Sequence, residues 1–218
     1  MTHNFKNKTI MKKVLLTVAA VMAFGLMNAQ EVKYGAKAGL NLSNLAGDVE
    51  NADMKVGFQI GGFAEIKVSD KFSVQPELLF STQGAKSEES YSDMYGSITI
   101  DLTQKLNYLN VPVMAKYYVD KKFYLEAGPQ IGFLLSAEQK AVAKGIYYGE
   151  SVYETETVDN KSSLNSTDFG INIGLGFNFT DKIGANLRYT SGLSDIDKED
   201  SNSEIYNSNI GISISCNF

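Results

Sequence analysis

The chain has 218 residues, of which 44% are hydrophobic and 21% are charged, as expected of one folded domain. Its 19 glycines, 12 phenylalanines and 12 tyrosines, with no tryptophan, favour β structure. The formal net charge of −5 argues against nucleic acid as a partner, because phosphate binding requires clustered lysine and arginine. A single cysteine excludes an internal disulfide.

The beginning of the chain has the pattern of a secretory signal peptide. Lys12 and Lys13 precede an apolar run over 14–27, which leads to a small-residue cleavage site at Ala29. The run is shorter than the roughly 20 residues that a transmembrane helix needs. We therefore predict that residues 1–29 are a cleaved signal peptide and that the chain is exported.

This cleavage would leave residues 30–218 as the mature domain. Met11 fits a true start immediately before the lysine pair, which would make residues 1–10 an upstream extension. Cleavage removes four lysines, the single histidine (His3) and no acidic residue, so the formal net charge falls from −5 to −9. The mature domain is therefore predicted to be strongly acidic.

Eight segments of the mature chain alternate apolar and polar residues with the period of two that marks a β-strand. In chain order they are 33–42, 55–68, 72–83, 101–119, 123–137, 168–180, 183–193 and 209–218. The last segment carries only uncharged Asn, Ser and Gly on its polar face and ends on Phe218. A terminal strand of this kind resembles the signal that outer-membrane barrels present to their assembly machinery, here Ile214, Cys216 and Phe218.

Short and long connections alternate between these segments. Three short turns fall at 69–71, 120–122 and 180–182, and four long polar connections fall at 43–54, 84–100, 138–165 and 194–205. Eight up-and-down strands place both termini and all short turns at one end, and the long loops at the other. Bacterial outer-membrane barrels have this asymmetry, with short periplasmic turns and longer extracellular loops. The prediction is an all-β fold, an eight-stranded antiparallel up-and-down transmembrane β-barrel.

Alternation alone does not tell which face points outwards, because a soluble periplasmic lipocalin-like barrel alternates too, with its apolar face inside. The polar face of these segments is rich in glycine, which suits the crowded concave side of a narrow barrel. The apolar face carries aromatic residues near both strand ends, as expected of two girdles at the membrane interfaces. They are Phe72, Tyr117, Phe123, Phe179 and Phe218 at the turn end, and Phe58, Phe80, Phe133, Phe169 and Tyr206 at the loop end.

Three prolines interrupt the predicted strands. Pro76, Pro112 and Pro129 each lack the N–H that a ladder requires, and a closed barrel has no free edge on which to place them. We therefore expect a β-bulge at some of the three.

Four runs identify a family resemblance. They are YGAKAGLN at 34–41, QPELLFSTQG at 75–84, LNYLNVPV at 106–113 and EAGPQIG at 126–132, and together they span most of the mature chain. They resemble the PorT-like outer-membrane β-barrel family. The resemblance implies an integral barrel in the outer membrane of a Gram-negative cell, in contact with its lipid and its barrel assembly machinery. The family's founding member is linked to protein secretion, but no residue here can be assigned to that role.

Charged residues on the predicted inner face are the candidate site. They are Lys37, Glu65, Lys67, Glu77, Lys116, Glu126 and Arg188. The hairpin centred on Lys121 places Lys116 directly opposite Glu126, which predicts an ion pair. The seven charges indicate either an ion-selective path or a salt-bridged interior, and we favour the second because side chains can fill an eight-stranded barrel.

Catalysis is not expected, because the mature chain lacks histidine and its one cysteine lies on the apolar face. No cofactor is predicted. The run at 195–200 could hold Ca²⁺ through carboxylates, but it lacks the glycine and closing glutamate of an EF-hand loop, and we favour a solvated acidic loop. The sequence thus predicts a non-enzymatic barrel whose acidic extracellular loops serve structural or surface-interaction roles. The alternatives are a narrow porin-like channel or a secretion accessory, and the soluble lipocalin-like barrel.

Overall fold

The computed structural model describes residues 31–47, 52–198 and 204–218. The predicted signal peptide, residues 1–29, and its possible upstream extension lie outside the described residues. The strands are β1 (Val32–Gly47), β2 (Asp53–Lys67), β3 (Phe72–Asp93), β4 (Gly96–Tyr118), β5 (Phe123–Tyr147), β6 (Glu150–Asp159), β7 (Thr167–Asn178), β8 (Ile183–Gly192) and β9 (Ile205–Asn217). Within these ranges the structure has no helix with the length and hydropathy of a transmembrane span.

Eight of the strands close into a ring. Neighbours in sequence pair antiparallel from β1 to β5, β5 then pairs with β7, and β7, β8 and β9 follow. The ring closes where β9 pairs with β1, from Gly35 opposite Asn217 to Gly47 opposite Ile205. The predicted eight-stranded antiparallel barrel is therefore confirmed. β6 is a further strand outside the ring, and its strand partner in the described part of the chain is β5.

The three short turns are stabilised in the same way, by hydrogen bonds to the side chain of their first residue. Asp120 Oδ1 accepts the backbone N–H groups of Lys122 and Phe123 at 2.7 and 2.8 Å. Ser69 Oγ and Thr180 Oγ1 accept the equivalent pairs of N–H groups in the other two turns. A short polar side chain that bonds its own backbone two and three residues ahead favours a tight reversal. The antiparallel order of the strands places these three turns at the same end of the barrel as the start of β1 and the end of β9.

Two of the four predicted loops are strands. The connections predicted at 84–100 and 138–165 are mostly paired backbone, because β3 and β4 continue upwards as one hairpin and β5 and β6 as another. Residues 84–93, 96–106, 138–147 and 150–159 form a four-stranded extension above the barrel, which we call the protruding sheet. The alternation in these segments is less clear because both of their faces are partly exposed and both carry polar residues.

Register shifts occur away from the prolines. One lies between Met54 and Gln59 on β2, and the other between Asn107 and Tyr108 on β4, where β5 carries one extra residue. Pro76 stays in register opposite Val113, so the expected bulges at prolines are wrong. The prolines instead adjoin short gaps in the ladders with no change of register. The bulge at Tyr108 switches which face the residues of β5 occupy as it enters the protruding sheet.

The apolar face of the ring points outwards. β7 and the turn after it carry large apolar side chains at every second position, each 40–57% exposed: Phe169, Ile171, Ile173, Leu175, Phe177 and Phe179. From Phe169 to Phe179 the chain extends about 33 Å, which is roughly 25 Å along the barrel axis for a strand tilted by about 40° to it. This height matches the apolar band of a membrane barrel. The lipocalin-like alternative requires the opposite orientation of the two faces.

Candidate functional site in the barrel interior

Six charged side chains meet inside the half of the barrel nearer the turns. Lys37, Lys116 and Arg188 supply three positive charges, and Glu65, Glu77 and Glu126 supply three negative ones. Ion-pair distances among them are 2.7–2.9 Å. The six charges balance, which is the condition under which buried ions are tolerated.

Glu77 on β3 lies at the centre of this network. It accepts hydrogen bonds from Lys37 Nζ at 2.7 Å, from both terminal nitrogens of Arg188 at 2.8 and 2.9 Å, and from Gln75 Nε2 at 2.6 Å. Its side chain is fully buried. The Arg188 fork on β8 therefore reaches across the lumen to β3, which is the bidentate geometry that favours arginine over lysine.

Glu126 on β5 is held by the other side of Arg188. Arg188 Nε and Asn186 Nδ2 donate to Glu126 Oε1 at 2.8 and 2.9 Å. Lys116 faces Glu126 in the β4–β5 register, as predicted. Its ammonium nevertheless turns away, to Glu65 at 2.9 Å and to Gln75 at 2.8 Å, so the predicted Lys116–Glu126 ion pair is wrong.

The closed shape of the barrel explains this difference. In an isolated hairpin the nearest opposite charge is the cross-strand neighbour, but on the concave inner face of a narrow ring the next strands are also within reach: Gln75 lies on β3, and Glu65 lies on β2 beyond it. Lys116 Nζ lies 4.0 Å from the centroid of the Tyr124 ring, which occupies the space next to Glu126. The cation therefore contacts an aromatic face and is directed towards β2 and β3.

Lys67 is not part of the network. It is half exposed at the turn end and pairs with Asp70 at 3.3 Å, three residues later. Six of the seven predicted inner charges are thus brought together, and the seventh lies at the rim.

Inner glycines leave room for the large side chains. A Cβ on Gly176 would lie 2.1 Å from Tyr124 Cζ, and one on Gly35 would lie 2.3 Å from Phe63 Cζ. A Cβ on Gly174 would lie 3.0 Å from Glu126 Oε1. Tyr124, Phe63 and Glu126 are the cross-strand partners of these glycines on the adjacent strands, so a larger residue at these positions would collide with its own partner.

Neutral amides and hydroxyls occupy the middle of the barrel. Asn41 donates to Ser81 Oγ at 2.8 Å, and Gln59 donates to Ser213 Oγ at 2.6 Å. On the other side, Thr190 Oγ1 donates to Asn172 Oδ1 at 2.6 Å. These bonds cross between strands within the lumen, above the ion pairs.

An apolar plug covers the loop end of the lumen. It consists of the buried side chains of Leu106, Tyr108, Leu134, Ala137 and Ile196, and Leu45, Leu164 and Ile205 pack against it. Ile196 belongs to the connection after β8, and its side chain points inwards and is 2% exposed. Asn165 holds this connection by donating to the carbonyls of Asp195 and Asp197 at 3.0 and 2.8 Å.

Two cavities lie at opposite ends of the molecule. The one at the turn end measures about 610 Å³, and Glu65 and Tyr118 form part of its wall. The one at the loop end measures about 570 Å³ and lies between Ile196 and the protruding sheet. They share no lining residue. The ion-pair network and the plug therefore lie between two separate vestibules.

The predicted aromatic girdles divide into exposed and covered members. Phe58, Phe72, Tyr117, Phe169, Phe179 and Phe218 are 37–83% exposed, and Phe80, Phe123 and Tyr206 are partly exposed. Phe133 is only 7% exposed, so its assignment to the exposed girdle is wrong. It lies beside the β5 bulge, opposite Leu109 and Thr167, where neighbouring side chains cover it. Ile214, Cys216 and Phe218 all point outwards.

In the acidic connection after β8, a carboxylate bonds nearby backbone N–H groups. Asp195 Oδ1 accepts the N–H groups of Asp197 and Ile205, both at 2.9 Å. Among residues 31–47, 52–198 and 204–218 no cluster of three metal-binding side chains is found. The part of this run that the structure describes therefore offers backbone caps rather than an assembled Ca²⁺ site.

Above the membrane region, one ion pair fixes the outer side of the protruding sheet. Lys144 Nζ donates to Asp101 Oδ2 at 2.6 Å. This hydrogen bond lowers the pKa of Asp101 and raises that of Lys144. At the turn end, the two backbone N–H donors lower the pKa of Asp120.

Sequence reasoning missed the neutral members of the site. Gln75, Tyr118 and Asn186 each bond a buried carboxylate or ammonium, and Tyr108 and Ile196 form the plug. Gln75, Asn186 and Tyr118 occupy the same alternating face as the charges, so the period of two identifies them once the inner face is known. Nothing in the sequence pattern of the last connection marks Ile196 as buried.

Comparisons with known proteins agree with this architecture. The family described as "Outer membrane protein beta-barrel domain" matches residues 28–198. No curated protein gives a significant match. Among solved structures, Ail, the attachment invasion locus protein of Yersinia pestis, is 15% identical with a TM-score of 0.47, over 86% of this chain and 99% of Ail.

Two further structures illustrate the range of barrels to which the chain is similar. Neisserial surface protein A is 9% identical with a TM-score of 0.43, over 86% of this chain and 99% of that protein. The outer membrane protease OmpT from Escherichia coli is 8% identical with a TM-score of 0.40, over 87% of this chain and 96% of OmpT. The family match covers most of the chain, and the chain belongs to the outer membrane protein beta-barrel domain family.

Proposed function

We propose that this protein is a non-enzymatic, non-conducting barrel of the Gram-negative outer membrane, exported through a cleaved signal peptide and related to the PorT-like group. Its extracellular parts would carry structural or surface-interaction roles. The observation that supports the proposal is the set of bonded side chains that lie in the lumen. Ion pairs cross it near the turns, and an apolar plug covers it at the loop end.

The balance of buried charge supports a filled interior over an ion path. A selective pore needs charges that face mobile ions and water. Here Lys37, Glu77 and Arg188 are at most 6% exposed and are bonded to one another. An ion that entered would have to break charge-assisted bonds in a low-dielectric interior, which is strongly unfavourable.

The lack of an assembled reactive group supports a non-enzymatic role. The only histidine of the whole chain is His3, within the predicted signal peptide. Cys216 lies on the outer face, where the predicted partner is lipid. General acid–base or nucleophilic catalysis needs a nucleophile and a base within hydrogen-bond reach in a cleft, and the described residues present no such pair of histidine with cysteine or serine.

Planar bilayer recording on the refolded protein tests the proposal. We expect no steady conductance, while flotation of the same protein with lipid vesicles shows that folded barrel is present. Steady, voltage-independent conductance would refute the filled interior and favour the narrow-channel alternative. Recovery of the cleaved protein in the soluble periplasm would refute the membrane location.

A separate measurement tests which end of the barrel faces the outside of the cell. Cysteine replacing Ser151 in the protruding sheet should react with an impermeant thiol reagent on intact cells, and cysteine replacing Lys121 in a short turn should not. Cys216 is replaced by serine in both variants to remove the background. Reaction at Lys121 alone would place the protruding sheet in the periplasm.

A further inference from the structure

The protruding sheet has two faces of different charge. The axial face, which looks over the barrel mouth, forms part of the loop-end cavity through Ala85, Leu102, Gln104 and Gln139. Strand register places five acidic residues and no basic residue on this face: Glu89, Asp93, Glu150, Glu154 and Glu156. The opposite face carries four lysines and four acidic residues: Lys86, Lys105, Lys140, Lys144, Glu88, Asp101, Glu138 and Asp159. Negative charge is therefore concentrated on the axial face.

Strand register places a row of small side chains along the axial face of β5, between two rows of larger ones. The β5 residues on this face, Ala141, Ala143 and Gly145, have the smallest side chains available. On one side of them β4 presents Leu102, Ile100 and Ile98, and on the other side β6 presents Glu156, Glu154 and Val152. Because adjacent strands lie about 4.8 Å apart, the two walls are separated by roughly 10 Å. We call this feature the axial groove.

The two walls differ in chemistry. The β4 wall is aliphatic, and the β6 wall carries two exposed carboxylates on alternate residues, about 7 Å apart. In an extended polypeptide, side chains at alternate positions have the same spacing and point to the same side. A segment that alternates basic and apolar residues would therefore present its cations to Glu154 and Glu156 and its apolar side chains to the isoleucines.

Two connections of the chain do not complement this groove in charge. The parts of the β1–β2 and β8–β9 connections outside the described residues, 48–51 and 199–203, contain Asp48, Glu50, Glu199 and Asp200 and no basic residue. Like charges disfavour their entry.

We propose that the axial groove binds an extended polypeptide segment in which lysine or arginine alternates with apolar residues. The inference rests on the proposed extracellular, surface-interaction role and names the chemistry of the partner. Polyanions such as nucleic acid or sulfated sugars are excluded as occupants by the five carboxylates. A groove three residue pairs long accommodates about five or six residues of extended chain.

The test measures binding of a fluorescent eight-residue peptide of alternating lysine and leucine to the barrel refolded into zwitterionic lipid. Two control peptides have the same length: one alternates glutamate and leucine, and the other places four lysines before four leucines. We expect binding of the alternating cationic peptide and weaker binding of the block peptide. Equal binding of the two cationic peptides would show a diffuse charge effect and overturn the proposal, as would no binding.

Variants locate the site. The double variant Glu154→Gln with Glu156→Gln should weaken binding about tenfold, since two exposed ion pairs are lost. The matched control Glu88→Gln with Glu138→Gln removes two carboxylates from the opposite face and should leave binding unchanged. Ala143→Tyr should block the groove, whereas Val142→Tyr on the opposite face should not. Equal effects of the paired variants would overturn the proposal.

Failure here is distinguishable from failure of the proposed function. Each variant is first shown to be folded by gel shift and by flotation with lipid. A barrel that folds, does not conduct and does not bind the peptide retains the proposed function and loses only the groove. A conducting barrel that binds the peptide retains the groove and loses the filled interior.

Discussion

Replacing Glu77 by glutamine should strongly destabilise the barrel. The change keeps the shape of the side chain but removes the charge that three cationic donor groups share: Lys37 Nζ and the two terminal nitrogens of Arg188. Arg188 retains Glu126, but Lys37, which is 3% exposed, loses the ion-pair partner that it has among the described residues. Removing one partner of a buried ion pair costs about 3–5 kcal/mol, so we expect Glu77→Gln to lower the free energy of unfolding by that amount.

A second change separates charge imbalance from lost packing. Glu77→Gln leaves three positive and two negative charges in the network, and Lys37→Met added to it restores two of each. The double variant should therefore recover at least half of the loss. Lys67→Met is the control, because the half-exposed pair of Lys67 with Asp70 is worth about 0–1 kcal/mol.

The assay is urea unfolding of the barrel refolded into lipid, with the folded fraction read from the gel shift. The slope of the transition should be the same for all four proteins, so that the midpoints report stability. A loss of less than about 1 kcal/mol in the free energy of unfolding for Glu77→Gln would refute the conclusion that the ion-pair network stabilises the barrel. A double variant no more stable than the single one would refute it too.

Three further changes test the outer face, the packing and a turn. Ile212→Lys places a charge on the lipid face, where the side chain is 59% exposed, and should cost about 2–4 kcal/mol in the same assay; an unchanged midpoint would mean that this face does not meet lipid. Gly176→Ala should cost about 1–3 kcal/mol because its Cβ would lie 2.1 Å from the Tyr124 ring. Gly62→Ala is the control and should be tolerated, because the atom nearest to its Cβ would be 3.6 Å away. Equal losses of stability in the two variants would refute the packing argument. The pKa of Asp120 is lowered in the folded state, so its stabilising effect is complete above the unfolded pKa of about 3.9 and is lost as pH falls through the folded pKa. The parent should therefore be more stable than Asp120→Ala at neutral pH, and this difference in the free energy of unfolding should shrink below about pH 4. A difference that persists there would contradict the cap.

The ring of strands could be predicted because the signals that determine it are local. Period-two alternation and the three capped turns each depend on residues close in sequence, and together they specify strand number, direction and the outward face. The protruding sheet was harder to predict. Its strands are exposed on both faces, so no apolar period distinguishes a paired segment such as 150–159 from a polar loop.

The interior was only half predictable, because alternation assigns a residue to a face and does not choose its partner. Arg188 and Glu77 are 111 positions apart in sequence, and their contact exists only because the ring closes. The hairpin rule that pairs Lys116 with Glu126 considers two strands, whereas a narrow lumen brings several strands within reach of each cation. A partner on an adjacent strand is therefore not favoured over one across the lumen.

The inner glycines carry the missing information. Gly174 and Gly176 on β7 lie opposite Glu126 and Tyr124 in the β5–β7 register. A side chain at either glycine would occupy the space that its partner's side chain takes. On a filled concave face, a glycine on one strand therefore indicates a large side chain on its neighbour. By this reasoning the glycines of β7 leave Tyr124 and Glu126 room to extend into the lumen. The Tyr124 ring then directs Lys116 away from Glu126, which leaves Glu126 to Arg188.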